Sequence, residues 1–66
     1  MNILLNGDNY NTPTKITLHD LISELNLTPG NFAIAVNMQV IPKSNYLNIW
    51  LKDNDRVEIV TALQGG

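Results

Sequence analysis

Hydrophobic and polar positions fall into short blocks whose period changes along the chain. Ile3, Leu4 and Leu5 form an unbroken apolar run. That predicts a strand over residues 1–5 with both faces covered, an inner strand of a sheet. Asn6-Gly7-Asp8-Asn9 follows as a hairpin turn, because Asn and Gly tolerate positive φ. Residues 10–15 then read as the returning strand. Pro13 within it has no amide hydrogen for a ladder, which puts that strand at a sheet edge. The period next lengthens. Leu18, Leu21, Ile22 and Leu25 stand at i, i+3, i+4 and i+7, one stripe of an amphipathic helix. Thr17 is placed to cap its N-terminus, and Asp20 puts negative charge in the first turn. Pro29-Gly30 ends the region.

Residues 32–36 form a third apolar block and predict a strand. Residues 37–39 turn, and Val40-Ile41 is a short strand stopped by Pro42. Residues 43–52 read as irregular or as a short helical turn, with Tyr46, Leu47, Ile49 and Leu51 as core anchors. Trp50 is read as core or half-buried packing ahead of a partner anchor. Asp53-Asn54-Asp55 is a polar turn, residues 57–62 are the last strand, and Leu63-Gln64-Gly65-Gly66 is a tail. One helix among five short strands predicts an α+β fold, the helix packed on a small mixed sheet. Spacing leaves open whether the third strand runs parallel or antiparallel to its neighbour. The expected organisation is one domain over residues 1–62 and a flexible C-terminal tail over residues 63–66.

With 66 residues, the chain buries only about 60% of its unfolded surface, which leaves little room for an enclosed active site. It has no cysteine, so thiol catalysis, disulfides and cysteine-zinc sites are excluded. A net charge of −2 with four basic residues argues against nucleic-acid binding. No apolar run is long enough to span a membrane, so no membrane partner is expected. The first residues lack the basic region and cleavage site of a signal peptide, and the expected compartment is the cytoplasm or the plastid stroma.

Conventional catalytic constellations are weak. His19 and Asp20 are helix neighbours that do not face each other, and no nucleophile accompanies them. Asp53 and Asp55 lack the further ligands of a calcium loop. No phosphate-binding glycine loop is present, so no nucleotide site is expected on this chain. Two features remain. Period-two alternation turns Ile3, Leu5, Val57 and Ile59 toward the helix, with Ile34 and Val36. It sends Leu4, Glu58, Val60, Ala33 and Ala35 to the open face as a candidate partner-binding surface. The second feature is Gly65-Gly66. Two glycines without side chains can lie extended in a narrow channel and present a terminal carboxylate to another protein's active site. From Leu63 to Gly66 the tail spans up to about 14 Å.

These features converge on a family. The helix T-L-H-D-L-I-S-E-L, the hairpin A-V-N-M-Q-V-I-P-K and the closing stretch L-K-D-N-D-R-V-E-I-V-T-A-L-Q-G-G resemble the sulfur-carrier proteins of thiamine biosynthesis, in the ubiquitin-like β-grasp group. The family often has glycine at the positions of Met38 and Asn54, and a third small residue at that of Gln64. The resemblance implies that the chain is a cosubstrate rather than an enzyme. Gly66 would be adenylated and converted to a thiocarboxylate that supplies sulfur for the thiamine thiazole, with Gly65, Gln64 and Leu63 forming the reach of the tail. It implies three partners: a ubiquitin-activating-like adenylyltransferase using ATP with Mg, a sulfur donor such as a cysteine desulfurase, and a thiazole synthase. No cofactor would be bound by the chain itself. The same tail chemistry would serve a carrier for molybdopterin synthesis or a ubiquitin-like modifier, and a plain β-grasp interaction module with an incidental diglycine is the remaining alternative.

Overall fold

The computed structural model describes residues 1–27 and 31–61. Five strands form one mixed sheet: β1 (Asn2–Leu5), β2 (Asp8–Asn11), β3 (Phe32–Val36), β4 (Gln39–Val40) and β5 (Arg56–Thr61), in the order β2-β1-β5-β3-β4. Helix α1 (Leu18–Glu24) lies between β2 and β3 in sequence, and a 3₁₀ helix spans Lys43–Asn48. The last strand is central. It pairs parallel with β1 through Leu4↔Arg56 and Leu5↔Val57, and antiparallel with β3 from Phe32↔Thr61 to Val36↔Val57. The third strand therefore neighbours β5, not β2, and the antiparallel alternative holds.

The expectations for β1, β3 and the edge position of β2 match the structure, but two boundaries do not. The first hairpin turns in two residues only. Asn6 and Gly7 have φ of 51° and 88°, the positive pair of a type I′ turn. Asp8 and Asn9 therefore already belong to β2, which ends at Asn11, two residues before Pro13. Likewise Asn37 (φ 52°) and Met38 (φ 70°) make the second two-residue turn, so Gln39 pairs with Val36 and β4 is Gln39–Val40, one residue earlier than expected.

Both ends of α1 are closed by local chemistry. Thr17 Oγ1 accepts the Asp20 N–H at 3.1 Å, and Asp20 Oδ2 accepts the Thr17 N–H at 3.0 Å, a capping box. That second bond holds the Asp20 carboxyl below the usual range. At the other end Asn26 has φ 57°, Leu27 N–H reaches Ile22 O and Asn26 N–H reaches Ser23 O. This is a Schellman motif with Asn in place of the usual glycine. The helix thus stops before residues 28–30, and the expected Pro29-Gly30 terminator lies outside the described residues.

Ile3, Ile34 and Val57 from the sheet meet Leu18, Leu21 and Ile22 from α1, joined by Ile16, Tyr46 and Leu51. Each such burial stabilises by about 1.5–3 kcal/mol. Phe32 stacks on Tyr46, ring centroids 6.3 Å apart. Leu47, expected as a core anchor, and Trp50, expected as core or half-buried packing, are both outside this core. Three residues per 3₁₀ turn put Tyr46 inward and leave Leu47 exposed on the wall of an apolar groove with Phe32. Trp50 is 56% exposed, because it alternates with partly buried Ile49 and buried Leu51.

Candidate functional site: the open sheet face and the strand that leads to the tail

β5 carries the chain toward its C-terminus along the centre of the sheet, so its support fixes where the tail begins. The parallel ladder with β1 covers only the lower part of β5, since β1 turns away at Asn6. The Asn6 side chain takes over the ladder. Its Oδ1 accepts the Ile59 N–H at 2.7 Å, its Nδ2 donates to Ile59 O at 3.3 Å, and its own N–H reaches Val57 O at 2.9 Å. On the other flank the ladder with β3 continues to Thr61, opposite Phe32. The last described residue of the strand is therefore held in register. Ala62, Leu63, Gln64, Gly65 and Gly66 lie outside the described residues.

The open face follows the alternation. Ile3, Ile34 and Val57 are buried toward α1, with Leu5, Val36 and Ile59 packed against them. Glu58, Val60 and Ala33 are exposed on the other face, and Leu4 and Ala35 are half-buried there. Paired residues share a face. Ala33 stands opposite Val60, and Ala35 opposite both Glu58 and Val40. Val40, 71% exposed, thus extends an apolar strip Val60–Ala33–Ala35–Val40. Sequence reading named Val40 as a strand residue without assigning it a face; its pairing register was the missing signal. Leu4 is not part of that strip. It is level with Arg56 and lines a shallow 280 Å³ recess with Gly7, Arg56 and Glu58. The five candidate residues therefore fall into two groups, one toward Thr61 and one toward the start of β5.

The paired aspartates of the turn before β5 are engaged in hydrogen bonds. Asp53 Oδ1 accepts the Asn2 N–H at 2.8 Å, and Asp55 accepts the Lys52 N–H at 2.8 Å and Asn37 Nδ2 at 3.0 Å. Among the described residues, no group of three or more His, Asp or Glu side chains converges as a metal site, and no helix is long and apolar enough to cross a membrane. The Glu24 carboxylate accepts the Tyr10 hydroxyl at 3.0 Å and raises the tyrosine above its ordinary pKa, tying β2 to α1.

Three comparisons bear on this arrangement. The chain is similar to the thiazole synthase of Paramagnetospirillum magneticum, 32% identical over 66 residues, and spans about a fifth (20%) of that protein's length. It is similar over the full length of both chains to the sulfur carrier protein ThiS of Escherichia coli K12, at 26% identity. Its fold matches the crystal structure of the thiamine biosynthesis protein ThiS from Geobacter metallireducens, with a TM-score of 0.85, 23% identity and complete coverage of both chains. The ubiquitin-like β-grasp fold expected from the sequence is thus the one observed. The model of the ThiS family matches residues 3–66, from the first buried residue of β1 through every strand and helix described above, and the chain belongs to that family.

Proposed function

We propose that the chain is the sulfur carrier of thiamine biosynthesis, with Gly66 as its point of attachment. The observation that carries this reading is the ThiS family match, which runs through β5 to residue 66. The full-length likeness to the sulfur carrier of Escherichia coli supports it. A carboxylate is a poor electrophile at neutral pH. An adenylyltransferase partner, using ATP with Mg, would give the Gly66 carboxylate a good leaving group. A persulfide carried by a donor such as a cysteine desulfurase would then attack the acyl carbon and expel AMP to give an acyl disulfide. A thiol would cleave its S–S bond by two-electron reduction, itself ending in a disulfide, to leave the thiocarboxylate. The chain would supply no catalytic group, only a side-chain-free approach and a docked body, so it is a cosubstrate and not an enzyme. Similarity to a thiazole synthase five times its length supports that enzyme class as the sulfur acceptor's partner. The strip Val60–Ala33–Ala35–Val40, beside the strand that leads to the tail, is the proposed docking face for the adenylyltransferase.

Incubation with the activating enzyme, MgATP and a sulfur donor is expected to give the intact-mass gain of one oxygen replaced by sulfur. Deleting Gly65 and Gly66 is expected to abolish the gain while leaving the melting curve unchanged. An unchanged mass with active partners would overturn the reading. A stable amide to a target lysine would favour a modifier instead, and sulfur transfer only to molybdopterin synthase would redirect the pathway.

A further inference from the structure

We infer that Asn6-Gly7 is a modification site, at which spontaneous deamidation of Asn6 releases the clamp on β5. Of the chain's asparagines, only Asn6 precedes a glycine. Glycine has no Cβ to shield its amide nitrogen. Both residues are exposed in the two-residue turn after β1, and a Cβ placed on Gly7 would meet no other atom within 4 Å. Water therefore has free access to the pair. Asn26, Asn37 and Asn54 also hold positive φ, but Leu27, Met38 and Asp55 follow them, and those side chains crowd the amide nitrogen.

The reaction needs only water. Gly7 N attacks Asn6 Cγ and gives up its proton. The Cγ–Nδ2 bond breaks, ammonia leaves, and a five-membered imide remains. Water then opens the imide at either carbonyl. Breaking the new bond to Cγ gives aspartate. Breaking the original Asn6–Gly7 peptide bond gives isoaspartate. In sum a neutral amide and one water become a carboxylate and an ammonium ion, with no change of oxidation state.

The fold restrains the first step. Attack needs the amide carbon turned back over Gly7 N, whereas both polar atoms of that amide are held on β5. The Ile59 N–H holds Oδ1 at 2.7 Å, and Ile59 O holds Nδ2 at 3.3 Å. Both bonds are exposed to water, so a local opening frees the side chain while the sheet stays folded. After reaction the clamp cannot reform. Aspartate has no N–H to donate and sets a carboxylate oxygen against Ile59 O. Isoaspartate lengthens the backbone of a two-residue turn by one carbon and disturbs the pairing of Leu5 with Asp8. The ladder between β5 and β3 involves neither Asn6 nor Gly7. The modified chain thus keeps its sheet and loosens one flank of the strand that leads to the tail. This inference does not depend on what the tail carries.

The folded protein, held at mildly alkaline pH, is expected to gain the mass difference between NH2 and OH. Fragment mass spectrometry is expected to place that gain at Asn6 ahead of every other asparagine. In strong denaturant, where the clamp is absent, the gain is expected to run about fivefold faster or more. The reacted protein carries one more negative charge and separates by anion exchange. In that fraction, and in Asn6→Asp, amide exchange at Ile59 is expected to accelerate about fivefold, with circular dichroism unchanged. If Asn6→Asp misfolds, the reacted fraction of the parent protein carries the measurement. Asn6→Gly is expected to show no gain at residue 6. No gain at Asn6 in the folded protein, equal rates with and without denaturant, or unaltered Ile59 exchange in the reacted fraction would overturn the inference.

Discussion

Asn6 treats Ile59 as a neighbouring strand would, accepting its N–H at 2.7 Å and donating to its carbonyl at 3.3 Å. One side chain thereby replaces the missing stretch of β1 beside the central strand. Asn6→Gly keeps the positive φ of the turn and removes both bonds, and is expected to cost about 1 kcal/mol. Asn6→Ala adds left-handed strain and is expected to cost about 1 kcal/mol more. Urea melts give the totals. Amide exchange should accelerate at Ile59 in both variants, and unchanged exchange there would show that the clamp is not holding β5.

Met38 occupies a left-handed position, φ 70°, that an L side chain adopts at a cost. It is 80% exposed, so its side chain contributes little packing. Met38→Gly is therefore expected to stabilise the protein by about 1 kcal/mol. For a domain of this size that raises Tm by roughly 4–8 °C. A lower Tm would mean that Met38 makes contacts the exposure does not reveal.

The capping box makes stability depend on acid in one direction. Accepting the Thr17 N–H depresses the Asp20 pKa in the folded state. Its contribution is present above the unfolded-state value, about 3.9, and is lost as pH falls through the lower folded value. Asp20→Asn is expected to be less stable than the parent at neutral pH, with the gap narrowing below about pH 4. Denaturant midpoints across that range check the sign, and a gap that widens in acid contradicts it.

The two halves of the open face should respond differently. Val60→Lys places a charge in the strip beside the end of β5, where Val60 is 68% exposed, so the fold should survive. If the proposed docking is right, the KM for activation should rise about tenfold, the equivalent of ~1.4 kcal/mol. Leu4→Lys lies beside Arg56 at the other end and should have a smaller effect. Equal, negligible effects in well-folded variants would remove the sheet face from the activation step.

Much of this arrangement is legible in the residues. Alternation in Ile3–Leu5, Phe32–Val36 and Val57–Val60 assigns both faces correctly because a strand's period is two, and Thr17 with Asp20 announces the helix start. What resists reading is non-local or depends on turn length. Nothing near β5 says that it pairs with β1, dozens of residues away. Asp8 and Asn9 look like turn residues, but a two-residue turn makes them an edge strand, where polar side chains face water. Leu47 and Trp50 look like core because they are apolar, yet the 3₁₀ helix and the strand-like segment after it turn them out. Val40 needed its partner Ala35 to be placed. The tail on which the chemistry rests is read from sequence and kinship alone.

The central position of β5 also has a mechanical consequence. An enzyme that draws in the C-terminus pulls on Thr61 along the strand axis. β5 is flanked by β1 and Asn6 on one side and by β3 on the other. Ladder hydrogen bonds lie across that axis, so the load falls on both ladders in shear, many bonds together, and does not peel them one at a time. Were β5 an edge strand pulled sideways, the same force would unzip it. A carrier built this way can be tugged by its end without being unravelled.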